Sequence, residues 1–347
     1  MLYYFCNIAT IYINHDILYQ KLYCYGVRGQ ALDLIKSYLT NRSQVVKLKN
    51  IKSEPCKVLL GVPQGSILGR LLFLVYINDM LSLQIPGKIV SYADDTVVLC
   101  NGDNWISSKR NMTQSLKEVS DWLALNELTL NLSKTEFIAY GIYCISVPVD
   151  INININGSAI TRVKSAKYLG VLFDCYMRWD YHVVKILKKT RYLLYIFKKL
   201  SKYMDSNSLM IIYYALFNSI ANYGIVAWGS AYNNVIEPLQ RLQYRILRLI
   251  KVNDNMKKPL NFTQMFKLES TIFYYQEIQS HYNKNFKTRK QTIFLDKINK
   301  TTAFKNNKTI ANKCFNELPK ELKNLKCNNK KVLKQKIKKF LYENPGI

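Results

Sequence analysis

Tyr92-Ala93-Asp94-Asp95 sets two carboxylates side by side between two β-branched runs, Ile89-Val90-Ser91 and Thr96-Val97-Val98-Leu99. Runs of this length and composition read as strands, and the acidic link between them as a tight hairpin. Two like charges about 4 Å apart repel by roughly 4 kcal/mol at an effective dielectric near 20. A hard divalent cation offsets that repulsion, because Mg²⁺ favours carboxylate and phosphate oxygens. Taken alone, the pair reads more readily as a solvated turn, where Asp is common.

A second motif lies upstream. Gly61-Val62-Pro63-Gln64-Gly65-Ser66 opens an apolar stretch, Leu71-Leu72-Phe73-Leu74-Val75-Tyr76-Ile77, that ends at Asn78-Asp79. Gly and Pro predict a turn, with Ser66 as N-cap of a helix from about Ile67 to Met80. That helix is apolar nearly all round, which predicts burial rather than a surface position. Gln64 and Gly65 then sit where a backbone or a base can approach closely. An ordinary glycine turn before a core helix has the same pattern.

Together, and in this order, the two motifs resemble the palm of a reverse transcriptase, most closely those of non-LTR (LINE-type, jockey-like) retrotransposons. Further matches are His15-Asp16-Ile17-Leu18, Gly26-Val27-Arg28-Gly29, Tyr38-Leu39-Thr40-Asn41-Arg42, Leu128-Thr129-Leu130-Asn131 and Lys134-Thr135. Tyr168-Leu169-Gly170-Val171, Phe173-Asp174, Trp179, His182, Tyr223-Gly224 and Trp228-Gly229 continue the series to about Ile250.

The resemblance implies an RNA-directed DNA polymerase acting on an RNA template, a DNA primer and nucleotide triphosphates. In such enzymes three carboxylates hold two Mg²⁺ ions that align the primer hydroxyl with the nucleotide. Asp94 and Asp95 match the metal-binding pair, with Tyr92 beside them. Gln64 and Gly65 match the loop against template and nucleotide. Tyr168, Leu169 and Gly170 match the hairpin that grips the primer. Lys134 matches a lysine proposed to protonate the pyrophosphate, and is equally a solvated lysine.

The family's Ala-Phe-Asp run ends four residues before the histidine matched by His15, at Ile11. Residues 1–13 contain no Asp or Glu. The expectation is therefore a polymerase fragment without activity, lacking the fingers, the first catalytic Asp and the first strand of its sheet. Loss of that strand would expose a sheet edge. Two alternatives stay open: an incomplete version of an active polymerase, and a non-catalytic nucleic-acid-binding remnant. Residues 1–13 lack the charged start and cleavage pattern of a signal peptide and are too short to span a bilayer.

A formal charge of +27 favours phosphate backbones as partners, and no membrane partner is expected. Lys outnumbers Arg by 39 to 11, as an AT-rich coding sequence would give, so part of the excess reflects codon bias. The eight cysteines form no C-x-x-C pair or zinc spacing and read as buried free thiols in a reducing compartment, nuclear or cytoplasmic. Nothing in the sequence sets an oligomeric state.

The predicted fold class is α+β, a right-hand polymerase palm of antiparallel sheet with helices, followed by a helical thumb. The expected segments are an unmatched apolar start (1–13), the partial palm (14–180), the thumb (181–250) and a basic C-terminal region (251–347). Periodicity predicts a helix pair over 14–45 and a strand pair over 44–60 turning around Lys52-Ser53-Glu54-Pro55. It also predicts a helix stripe at Met112, Leu116, Val119 and Leu123, a strand through Leu128, Leu130 and Leu132, and short strands over 144–173. Val183, Ile186, Thr190, Leu194 and Phe197 should line one later helix face, and Leu239, Leu242, Ile246 and Leu249 another.

Overall fold

The aromatic run Leu2–Asn7 is extended and forms strand β1. In this computed structural model the described residues are 2–7, 13–63, 65–131, 134–140, 152–155, 157–252, 258–282 and 330–343. They divide into two units, Met1–Gly170 and Val171–Ile347.

In the first unit Asn14 caps α1 (His15–Cys24), its side chain accepting from the backbone N–H groups of Asp16 and Ile17. A turn leads to α2 (Gln30–Leu39), and Leu18, Leu22 and Leu39 are buried, as the helix-pair reading requires. Two short ladders follow, β2 (Ser43–Gln44) with β5 (Cys56–Lys57) and, between them in sequence, β3 (Lys47–Leu48) with β4 (Ile51–Lys52). The chain thus reverses at residues 49–50, where Lys49 takes a left-handed φ of 55°, and not at 52–55 as expected. Ser53 is held instead to Val46, giving its N–H to the Val46 carbonyl and accepting from the Val46 N–H.

Helix α3 (Ile67–Ile77) is capped by Ser66 and runs into a 3-10 turn over Asn78–Ser82. The expectation that it is buried all round fails. Leu72, Phe73, Tyr76 and Ile77 are buried, whereas Ile67 is 93% exposed and Leu71 and Leu74 lie exposed on the same side. The helix packs on α1 with one face only, so a single stripe goes inward.

Strands β6 (Lys88–Tyr92) and β7 (Asp95–Cys100) form the expected hairpin, and α4 (Trp105–Leu125) carries the predicted stripe. Next come β8 (Glu136–Ala139), β9 (Ile153–Ile155), β10 (Ser158–Arg162) and β11 (Ser165–Tyr168). The predicted strand at Leu128 and Leu130 is reduced to an isolated bridge at Leu130, Leu132 lies outside the described residues, and the strand itself starts at Glu136.

The main sheet has the order β6-β7-β1-β8-β10-β9. β1 is therefore not missing. It lies inside the sheet, antiparallel to β7 on one side, from Leu2↔Cys100 to Asn7↔Asp95, and to β8 on the other. Its aromatic-rich composition suits a strand, and a slot between two ladders satisfies its backbone on both edges.

Met112, Leu116, Val119 and Leu123 of α4 pack with Val98, Cys100, Phe137 and Ala139 in one core. A half-buried lysine braces its rim. Lys21 Nζ donates to the Tyr76 carbonyl at 2.6 Å, pairs with Asp79 at 2.8 Å, and lies 4.8 Å from the rings of Tyr76 and Trp122. Burial lowers its pKa, and Asp79 opposes that shift.

The second unit begins with β12 (Val171–Asp174) and is then helical: α5 (Asp180–Thr190), α6 (Leu193–Leu200), α7 (Ser206–Ile212), a π turn over Tyr213–Asn218, α8 (Ser219–Ala221), α9 (Ile225–Trp228), α10 (Asn233–Ile250), α11 (Phe262–Tyr282) and α12 (Lys330–Glu343). Val183, Ile186, Thr190 and Phe197 are buried as expected. Between α5 and α6, however, Leu193 takes the fully buried place and Leu194 only flanks the core. Leu239, Leu242 and Ile246 of α10 complete that core, with Leu249 at its margin.

Among the described cysteines Cys100 is buried, but Cys24 and Cys56 are exposed. Cys24 ends α1 and Cys56 sits in an edge ladder, so neither reaches a core, against the expectation of buried thiols.

Candidate functional site

The closing pair of the β6–β7 hairpin is Tyr92↔Asp95, which leaves Ala93 and Asp94 as a two-residue loop. Asp94 is thus at the tip, while Asp95 is the first residue of a strand and not a turn residue. Ala93 has φ 53°, a left-handed conformation that such loops normally assign to Gly or Asn. A hydroxyl chain holds the turn: Thr96 Oγ1 donates to Ser91 Oγ, and Ser91 Oγ donates to the Ala93 carbonyl, each at 3.1 Å. Thr96 is buried, Asp94 and Asp95 are half-buried, and Tyr92 is exposed.

The Gly61–Ser66 loop is anchored at both ends. Gly61 gives its N–H to the Ile13 carbonyl at 2.8 Å, and His15 Nε2 lies 2.8 Å from the Gly61 carbonyl. A carbonyl only accepts, so Nε2 carries the proton. At the other end Ser66 Oγ donates to the Pro63 carbonyl at 2.8 Å and accepts from the Gly69 N–H at 3.0 Å. A Cβ at Gly69 would lie 2.5 Å from that carbonyl, which requires glycine there. Gly65 is exposed with φ 80°. Gln64 lies outside the described residues.

Lys134 is exposed on a short turn before β8, its N–H bonded to the Asn131 carbonyl. β8 is two ladders from β7, about 10 Å away at the usual strand spacing. Tyr168 is half-buried, and Leu169 and Gly170, with φ 45° and 85°, make a tight left-handed turn. The structure therefore gathers Tyr92, Asp94 and Asp95 on one hairpin, and holds Gly65, Lys134 and Tyr168–Gly170 on separate turns of the same unit. The contact between His15 and Gly61 escapes a reading of the sequence, since 46 residues separate the two.

Residues 11–173 match the family described as reverse transcriptase (RNA-dependent DNA polymerase). This chain carries a reverse transcriptase domain. Its relatives agree. It is 29% identical over 225 residues to a probable RNA-directed DNA polymerase from transposon X-element of Drosophila melanogaster, covering 62% of this chain and 24% of that protein. It is 28% identical over 265 residues to a probable RNA-directed DNA polymerase from transposon BS of the same organism, covering 71% and 29%. It is 26% identical over 231 residues to the RNA-directed DNA polymerase from mobile element jockey, covering 62% and 24%. The matched part spans about a quarter of the length of these curated relatives.

Reverse transcriptases generally use Mg²⁺, and that fit can be tested on the donors present. Among the described residues, no group of three acidic, histidine or cysteine side chains is placed to hold a metal ion. The β1 position opposite Asp95 is Asn7, and β1 carries no acidic residue. The domain thus supplies two adjacent carboxylates, an incomplete donor set for a two-ion site. Among the described residues no helix is long and apolar enough to cross a membrane.

Proposed function

We propose that the chain is a nucleic-acid-binding reverse transcriptase domain, the first unit serving as the palm and the helical second unit as the thumb of an RNA-directed DNA polymerase. Its partners are an RNA template, a DNA primer and nucleotide triphosphates, in the nucleus or cytoplasm. The observation that carries this reading is the Tyr92–Asp95 hairpin at the end of a sheet ladder, accompanied in the same unit by the anchored Gly61–Gly69 loop. Gly65 leaves backbone open to a template base or nucleotide. Tyr168–Gly170 offers a turn for the primer backbone. Lys134, exposed beside β8, is available to the phosphates.

Catalysis by this chain is a separate matter. With no third acidic, histidine or cysteine side chain placed beside Asp94 and Asp95 among the described residues, the chain is expected to bind its substrates without extending a primer. Fluorescence anisotropy of a labelled primer–template across a salt series, with primer extension in Mg²⁺, tests both parts. Tight binding at low salt that weakens steeply with salt is expected, with no incorporation above the Asp94→Asn/Asp95→Asn variant. Absence of binding at low salt would overturn the nucleic-acid reading. Incorporation abolished by that double variant would overturn the inactivity.

A further inference from the structure

Residues 181–204 contain seven Lys and Arg residues and no Asp or Glu. They cover α5 after its first residue, Asp180, then α6 and the turn that follows it, and the α5–α6 junction is nearly continuous helix: Arg191 and Tyr192 both keep right-handed helical φ and ψ, and Arg191 still bonds back to the Leu187 carbonyl. The buried side of this rod is His182, Val183, Ile186, Thr190, Leu193 and Phe197. At 100° per residue the opposite side reads Tyr181, Lys185, Lys188, Tyr192, Tyr195 and Lys199, spaced as i, i+4, i+7, i+11, i+14 and i+18. The stripe is about 27 Å long at 1.5 Å per residue. Tyr181 is 49% exposed, Tyr192 57% and Tyr195 62%, and Lys199 Nζ stands 4.7 Å from the centre of the Tyr195 ring.

A soluble helix has no packing reason to keep three tyrosine rings outward between lysines. Aromatic rings offer unpaired bases a stacking face, and the interleaved cations match the phosphates between them. A lipid surface fits less well, because an interfacial helix needs a broad aliphatic face and Val184 is the one exposed large aliphatic residue of α5 and α6. We infer that the α5–α6 ridge binds a single-stranded nucleic acid segment, stacking its bases on Tyr181, Tyr192 and Tyr195 without regard to sequence. A closed duplex presents no base faces to these rings, so the ridge distinguishes unpaired strand from helix. The inference rests on the proposed nucleic-acid-binding function and adds to it the form of the nucleic acid and the residues that hold it.

The test uses the full chain and four labelled probes: a mixed-sequence single strand, the corresponding duplex, a polyglutamate and an anionic phospholipid vesicle. Tyr192→Ala/Tyr195→Ala should weaken single-strand binding about thirty-fold or more and leave duplex binding within two-fold. Tyr192→Phe/Tyr195→Phe should retain the parent affinity, because the ring and not the hydroxyl stacks. Lys188→Gln/Lys199→Gln should flatten the single-strand salt slope by about 1.4. Unaltered melting temperatures establish that the variants fold. Parent-like single-strand binding by the double alanine variant, equal losses on strand and duplex, or equal binding of polyglutamate or vesicles would overturn the inference. If primer–template binds but the tyrosine variants change nothing, only the ridge fails. If no nucleic acid binds, the function proposed above fails with it.

Discussion

His15 Nε2 donates to the Gly61 carbonyl across 2.8 Å, tying the first turn of α1 to the start of the loop that ends in Gly65. With the Gly61 N–H on the Ile13 carbonyl, both polar groups of one peptide position are engaged. His15→Ala removes one bond and should lower stability by about 1 kcal/mol, read as a fall in urea midpoint at constant slope. On the proposed function, nucleotide affinity should fall further than the stability change explains, since the loop loses its anchor. His15→Gln, which keeps a donor, should recover part of both.

Ala93 holds the carboxylate hairpin at φ 53°, which costs an L-residue about 1 kcal/mol. Ala93→Gly should therefore stabilise the fold by roughly 0.5 kcal/mol or more despite the entropy glycine adds to the unfolded chain. Val at this position should destabilise strongly. Thermal melts of the three proteins check the order.

Asp174 is buried at the end of β12, and its carboxylate accepts from the backbone N–H groups of Tyr176, Arg178 and Trp179 at 3.0, 3.1 and 2.7 Å. It thereby fixes a turn in which Met177 and Trp179 are both left-handed. Asp174→Ala leaves these donors unpaired and should cost about 2–4 kcal/mol. Asp174→Asn, which keeps an acceptor, should cost less. Denaturant titration separates the two.

His182 is 3% exposed, accepts at Nδ1 from the Leu172 N–H at 3.2 Å and meets the Trp228 ring. Burial and then Lys185 lower its pKa from 6.5 to about 4. Its folded value lies below the unfolded one, so the unfolded chain binds the proton first. No penalty exists above pH 6.5; stability falls as pH drops through 6.5 and the loss is complete near pH 4. The ceiling is about 3 kcal/mol at 1.36 kcal/mol per unit. His182→Asn keeps an acceptor for Leu172 and should flatten stability across that window, as measured by urea unfolding at successive pH values.

The hairpin, the Ser66 cap and the stripes of α4 and α10 were legible because each is local: strand composition, a capping residue and helical period act over a few neighbours. The strand at Leu2–Asn7 carries the same kind of signal, Leu-Tyr-Tyr-Phe-Cys, yet it matches none of the family motifs, so its place in the sheet stayed hidden. Composition gave no warning that α3 turns Ile67, Leu71 and Leu74 outward, because a helix apolar all round does not say how many neighbours it will have. The His15–Gly61 contact depends on the sheet and helices being assembled first. Long-range pairing of that kind leaves no mark in periodicity.

β1 has a kinetic side as well. Its two ladder partners, β7 and β8, follow about 90 and 130 residues later, an interval of roughly 5–25 s at ribosomal speed. During that time neither of these two ladder partners has been made, while the local helices α1 and α2 can already form. The middle of the sheet thus closes only once β8 has been made, by setting an early segment between two later ones. Chaperone occupancy during synthesis should centre on Leu2–Asn7, and slow refolding should report the closing of that gap.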